Sequence, residues 1–581
     1  MKLQWMLKIG LSLTTIMSAS IGKAQALVPV NQGWSQEQRQ MMYSKYEGSQ
    51  IIPYDWFFAI EKKESIELLS ENMSRFGFIS NTDEKLPIGM TLTEDEVTSQ
   101  LYGEKKWLGV NCTACHTTVM NFKSKSILVD GGTNPLQLYK FVKEIADAAQ
   151  ETVADKSKFA RFAARLNQEP SDKLFNSLTS FAKDVEAQSS LNRFSSSDST
   201  APGSAYPPQM QDGITGPNNQ TLCNLSDLGD LSLKNEISLS QNCREFTAPT
   251  GVPHIWGHYN EEYTHFLGNI HSAFGRNIGQ AAGTYAKNWV EKDMNGKIVF
   301  KTTSDFAALI KIEETYKTLK APEWKQFSDL ELLPPLDTDL IERGRKVYTA
   351  NNCIACHAIQ PEITSKNIVF FGRSFWKTNV TPIDEINTDR ARLDVDTKTV
   401  VQLPEILKVQ FQDVFGKDSV NNGQVNASQY RAYVVRDMIM NYFERENLGN
   451  PAKYTASSCR LPDRNQAVIG YKAKSLEGIA FTAPYLHNDS VPTLSDLFLP
   501  VSKRPKKFYI GCRDFDAANV GFQCNKDSEN SYEYNTELPG LSNTGHEYGT
   551  DLSELDRKAL IEFLKSLRNP EAPSYGTCEK L

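Results

Sequence analysis

Beyond its first 26 residues the chain has no apolar run that reaches membrane length, about 20 residues. Nor is it basic. Against 63 Lys and Arg stand 70 Asp and Glu, a formal net charge of −7, so nucleic acid, which calls for a basic surface, is excluded as the main partner. Histidine is scarce, with eight in 581 residues, so each one can be weighed as a metal ligand. Clean polar–apolar alternation is also rare. The helical rhythm recurs instead at 136–150, 172–187, 305–320 and 427–447. These patterns read as a mainly α protein with long irregular loops, and 581 residues are enough for two or more cores.

What the N-terminus does have is a targeting segment. In "MKLQWMLKIGLSLTTIMSASIGKAQA", Lys2 and Lys8 precede an apolar run from Ile9 to Ile21, and Ala24-Gln25-Ala26 follows as a cleavage site. Residues 1–26 read as a secretory signal peptide, with an uncleaved anchor as the alternative. The mature chain is expected to be periplasmic or secreted, with no membrane span. Cysteine is then read for an oxidising compartment. Four of the ten belong to two repeated motifs, and six remain: Cys223, Cys243, Cys459, Cys512, Cys524 and Cys578. An even remainder in an exported chain points to disulfides. The favoured pairs are Cys223 with Cys243 and Cys512 with Cys524, leaving Cys459 for Cys578.

The repeated motif is C-x-x-C-H, at Cys112, Cys115 and His116 and again at Cys353, Cys356 and His357. Two thiols three residues apart sit on one helical turn, where each can add to a vinyl group of one porphyrin edge. The histidine that follows swings under the iron as proximal ligand. Composition alone would place such a motif in this chain about two times in a thousand, so two copies are not chance. A zinc site would bring its cysteine pairs closer together, and a thioredoxin-like centre would need one C-x-x-C in a βαβ setting. The motifs therefore predict two covalently bound c-type haems.

Pro334-Pro335 breaks the chain just before the second motif. Asp337 or Thr338 can cap a helix there whose inner face is Leu340, Ile341, Gly344, Val347 and Tyr348. A matching C-terminal helix carries Leu552, Leu555, Ala559, Phe563 and Leu567 on one face, with Ser553 and Asp556 as a capping pair. This gives an N-terminal c-type haem domain over 27–333 and a C-terminal cytochrome c domain over 334–581. The stretch 186–222, rich in Ser, Pro, Gly and Asn, reads as an inserted loop.

The sixth iron position decides between electron transfer and oxygen or peroxide chemistry. His546, on a Gly-rich loop before the last helix, fits the distal ligand of the second haem. His487 is its competitor, as a ligand, a propionate-side group or a brace for its own loop. His254, His258, His265 and His271 crowd into "PHIWGHYNEEYTHFLGNIH". With Trp256, Phe266 and Phe274 they suggest a polar-aromatic distal pocket for the first haem, with His271 nearest the iron. Trp256 reads as a core residue or an electron bridge. Lys474 reads as the partner of a haem propionate or as a solvated surface lysine.

Several stretches resemble one family. "NQGWSQEQRQMMYSKYEGSQIIPYDWFFAIE", "WLGVNCTACHT", "ILVDGGTNP", "FGRNIGQAAGTYA", "YKAKSLEGIAFTAPYLHN", "RPKKFYIGCRDFDAANVGF" and "NTGHEYGTDLS", together with the two motifs, are similar to the bacterial di-haem cytochrome c peroxidase superfamily. Within it they most resemble the branch containing haem-dependent rubber oxygenase. The resemblance implies two cytochrome c-like domains with unequal haems. The N-terminal haem meets peroxide or oxygen, and the C-terminal haem, six-coordinate through His546, stores or relays electrons. It implies a tryptophan between the haems, for which Trp256 is the candidate, and a bulky apolar residue near the open iron, where His271 would be a departure. Relatives hold a Ca²⁺ between the domains, but no ligand cluster for it stands out in this sequence.

The expected function is an exported di-haem oxidoreductase. Its partners would be a small redox protein or a quinol-derived electron donor, with peroxide, oxygen or an apolar substrate. The alternatives are a bis-His di-haem electron carrier without substrate chemistry and a rubber-type polyisoprenoid oxygenase.

Overall fold

The computed structural model describes residues 27–569, except 82–83, 96–101, 123–124, 192–247, 271–272, 360–367, 371–372, 449–467 and 529. The signal segment, His271, and Cys223, Cys243, Cys459 and Cys578 lie outside the described residues. No helix of the described residues is long and apolar enough to cross a membrane.

Over the described residues the fold is mixed, 41% helical and 17% strand, which corrects the mainly α expectation. Its strands form eight sheets of two or three strands each among the described residues. Two three-stranded sheets matter most. One joins Ile52–Pro53, Lys106–Val110 and Met90–Glu94, and the other joins Val28–Pro29, Lys125–Asp130 and Thr117–Phe122. Their sequences hid them for a physical reason. KWLGV is buried at four of five positions and TTVMNF at five of six. A strand covered on both faces needs no alternation, so the period that betrays a half-buried strand is missing.

The expected helices form at Leu138–Ala154, Asp172–Leu191, Phe306–Tyr316, Ala427–Arg445, Thr338–Ala350 and Glu554–Lys565. Asp172–Leu191 runs into the start of the stretch read as a loop from 186; the rest of that stretch, 192–222, lies outside the described residues. The Asp337 carboxylate caps the Thr338–Ala350 helix by accepting from the Asp339 and Leu340 amides. Ser553 does the same for Asp556 at the start of the last helix. These two helices cross at Gly344, where a Cβ would lie 2.0 Å from the Ala559 carbonyl oxygen. Tyr348 then meets Phe563 with ring centres 5.4 Å apart.

Two separate haem domains are not shown. One apolar core takes Val30, Val119, Trp256 and Phe327 from before residue 333, and Tyr348, Phe481 and Phe563 from after it. A further core joins Ile278 and Leu309 to Tyr430 and Val434. Burial of apolar area is non-directional, so the two halves share an interior that a linear reading cannot see. Cys512 and Cys524 are disulfide-bonded, with Cα atoms 5.5 Å apart.

Candidate functional site

The second motif is held by the helix that precedes it. After Thr338–Ala350 the chain turns through Asn352 at φ 55° into the short turn Cys353–Ala355, and the His357 carbonyl accepts from the Tyr348 hydroxyl. His357 Nδ1 lies 2.7 Å from the Lys474 carbonyl oxygen. A carbonyl only accepts, so Nδ1 carries the proton and Nε2 presents its lone pair, which sets a histidine for metal ligation.

His546 faces it. Its backbone sits at φ 48°, its amide donates to the Ile386 carbonyl at 2.9 Å, and Arg504 pins the loop by donating to the carbonyls of Asn543, Gly545 and His546. The His357 and His546 ring centres are 6.2 Å apart. Two metal–nitrogen bonds of ~2 Å, with ~1 Å from each nitrogen to its ring centre, span about that distance. His546 Nδ1 is buried without a hydrogen bond. Burial pushes both imidazoles down, His546 to about 3. Both are neutral, as metal ligation requires. This pair fits a bis-histidine haem iron.

The first motif has a different frame. Cys112–Cys115 is a single helical turn between the strands Lys106–Val110 and Thr117–Phe122. Asn111 caps it by accepting from the Thr113 amide, and ties it down by donating to the carbonyls of Met42 and Lys45. The Cys112 thiol donates to the Glu47 carboxylate at 3.0 Å and its amide to the same group at 3.1 Å. The Tyr316 hydroxyl reaches the same sulfur. Burial lifts Glu47 to about 7. Burial also lowers His116 to about 4, so it too is neutral. The Pro253 carbonyl stands near its ring, short of good hydrogen-bond geometry to the buried Nδ1. Among the described residues no second histidine ring faces His116 as His546 faces His357.

Residues 253–258 adjoin the first motif, where the Ile255 amide donates to the Gly131 carbonyl, and residues 472–478 adjoin the second, where the Lys474 carbonyl meets His357. Trp256 is fully buried, stacks on His254 with ring centres 4.6 Å apart, and donates its indole N–H to the Glu477 carbonyl at 3.1 Å. Two glycines let the backbone approach the indole. Gly131, at φ 73°, lies on the side of the first motif, and its amide donates to the His116 carbonyl. Gly478, at φ 68°, lies on the side of Lys474. A side chain at Gly131 would strike Leu319 first, and one at Gly478 would strike Ala321 and crowd Trp256.

The His258 ring stands 6.0 Å from that of His254, while His265 and His487 have other partners. His258 lies 3.8 Å from Glu261, which is paired with buried Lys472 at 2.5 Å. His265 contacts Gln280 at 3.2 Å. His487 is buried against Tyr471, whose hydroxyl lies 3.2 Å from Nε2, and against Phe266. Its carbonyl accepts from the Gly251 amide, contacts that suit the bracing role. Half-buried Lys474 lies over the Phe266 ring at 4.5 Å, and burial lowers it to about 8.

Several residues escaped sequence reasoning: Glu47, Tyr316, Arg276, Glu477 and Asp489. Glu47 lies 65 positions from Cys112, with no local pattern to announce it. Arg276 stands inside a stretch that carried the family resemblance, "FGRNIGQ", but nothing in the spacing marked it. Asp489 lines a cavity with Thr118, Thr133, Asn134 and Tyr509. Burial raises its carboxyl to about 8, with Lys474 opposing. A raised carboxyl favours the folded state below the ordinary Asp range and costs stability as pH climbs toward the raised value. Asp489→Asn should therefore raise the unfolding temperature, and the gain should grow from about pH 5 to about pH 8. Thermal melts across that range check it.

Residues 470–509 match the family described as RoxA-like, cytochrome c-like. That stretch contains Lys474, whose carbonyl orients His357, together with Glu477 and His487. The chain is also similar to the uncharacterized protein y4iJ of Sinorhizobium fredii, 26% identical over 593 residues and covering 94% of each. To the uncharacterized protein y4iM of the same organism it is 50% identical over 56 residues, 10% of this chain and 13% of that one. These likenesses support a relationship to RoxA-like haem cytochromes, which implies a c-type haem with its iron.

Proposed function

We propose that this protein is an exported di-haem oxidoreductase in which the first motif serves substrate chemistry and the second serves electron transfer. A c-type haem, when bound, supplies a redox-active iron with a ligand position that the protein leaves open or fills. Cys112, Cys115 and His116 hold the first haem. Cys353 and Cys356 would hold the second, and His357 and His546 would supply imidazoles to its iron. Two imidazole ligands keep its potential lower than a His/Met pair would. Trp256 is placed to carry electrons between the motifs, and Lys474 to neutralise a haem carboxylate. The substrate is peroxide or oxygen, and the electrons are exchanged with a small redox protein or a quinol-derived donor.

One observation carries this reading. His357 has a second histidine at ligand distance, while no described histidine ring stands so to His116, His271 lying outside the described residues. A second motif with a facing histidine suits electron transfer, and we assign the substrate chemistry to the first.

The test is carbon monoxide binding to the reduced protein, followed optically, with low-temperature EPR of the oxidised form. We expect carbon monoxide on half the haem, lost in a His116 variant. Two low-spin sites that ignore carbon monoxide would leave the protein an electron carrier. Incubation with polyisoprene in air tests the oxygenase alternative, and cleavage products would make the substrate apolar.

A further inference from the structure

Arg276 is the one buried cation beside the first motif, among the described residues, whose guanidinium has an unspent nitrogen. It lies near the start of the helix Ala273–Gly283 and is 7% exposed. Nε and Nη2 donate to the Asn277 side-chain oxygen at 3.0 and 2.9 Å, and Nη2 also donates to Glu313 at 2.6 Å. Asn277 donates to the same Glu313 oxygen at 3.0 Å, so the planar group is clamped from one side. Nη1 is buried with no partner for either hydrogen. A buried charged donor left unpaired is costly, whereas a clamped fork with one free nitrogen is arranged to receive an oxyanion.

Its position points to the first motif. Glu313 is one turn before Tyr316 on the helix Phe306–Tyr316, and Tyr316 reaches the Cys112 sulfur. The Asp305 amide at the start of that helix donates to the carbonyl of Glu47, whose carboxylate holds Cys112. A cation held there meets whatever anionic group the first motif brings in.

We propose that Arg276 Nη1 donates to an oxyanion at the first motif. Two sources share that chemistry: a carboxylate of the haem itself and a small anionic ligand that enters beside it. This rests on the reading that the first motif carries a haem.

The experiment uses full-length haem-loaded protein, wild type and the variants Arg276→Gln and Arg276→Lys, with formate as the exogenous oxyanion and spectroelectrochemistry for the midpoint potential of each haem. Wild-type carbon monoxide binding tests the open first site separately. If Arg276 serves an entering anion, Arg276→Gln weakens formate binding about tenfold or more, the worth of a charge-assisted hydrogen bond. If it serves the haem carboxylate, formate binding is unchanged while the potential of the first haem falls. If wild type binds no formate, the entering anion is overturned and the potential decides the haem carboxylate. Unchanged formate affinity together with unchanged potential overturns the proposal and leaves Arg276 a structural clamp for Glu313. Arg276→Lys keeps the charge beside Glu313, so it remains measurable should the glutamine variant fail to fold. It should recover part of the potential shift but not the full formate affinity.

Discussion

His546→Ala will open the second site. The imidazole pair should vanish from the low-temperature EPR spectrum, replaced by a high-spin signal, and carbon monoxide binding should double. The midpoint potential of that haem should rise by on the order of 0.1 V, a fraction of the ~0.8 V over which axial ligands set haem potentials. The effect is large because the His546 ring stands opposite His357, at 6.2 Å between ring centres, and its Nδ1 spends no hydrogen bond on the fold, its other ring contact being Tyr548 at 5.1 Å. Stability should accordingly change little, because Arg504 and Ile386 hold the loop through its backbone. Added imidazole should restore the low-spin signal. His487→Ala is the control. His487 contacts Tyr471 and Phe266, so the spectra should stay as they are while the protein loses stability. A low-spin second haem surviving in His546→Ala would show that another group closes that iron.

Gly344→Ala is expected to be among the most damaging single changes outside the motifs. In an isolated helix it would gain ~1 kcal/mol of propensity. Here the new methyl group would lie 2.0 Å from the Ala559 carbonyl oxygen and 2.6 Å from Phe563 Cβ. The last helix must move away, and overpacking of this kind costs ~1–3 kcal/mol or more. That displacement also loosens Tyr348, which packs on Phe563 and holds the His357 carbonyl. Thermal unfolding should shift down by several degrees, with loss of haem order at the second motif. Gly279→Ala provides the contrast. Its added methyl would make ordinary contact with Val435 at 3.4 Å, so the propensity gain should appear as a neutral or slightly stabilising change. Equal effects at the two positions would mean that the helix crossing does not depend on Gly344.

The attachment chemistry was legible because it is local. Cys112, Cys115 and His116, and their counterparts at 353–357, act through a fixed spacing within one turn. The helices around the second motif were legible for the same reason, since capping by Asp337 and Ser553 and the face containing Gly344 are properties of short windows. The strands flanking the first motif were not. Burial on both faces erased their period, and the fold came out mixed where a mainly α chain was expected.

By itself, then, the sequence determined where the two C-x-x-C-H motifs lie, which histidine follows each cysteine pair, and which segments coil. Only the tertiary structure decided which side chains face those histidines. His546 comes 189 positions after His357, yet meets it because Arg504 and Ile386 fix its loop. Glu47 and Tyr316 converge on Cys112 from opposite ends of the first half. Trp256 finds the Glu477 carbonyl for its indole N–H 221 positions along the chain. Attachment depends on bonds along the chain, which spacing records. Ligand closure and charge placement depend on packing across it, which is set by burial that no single window contains.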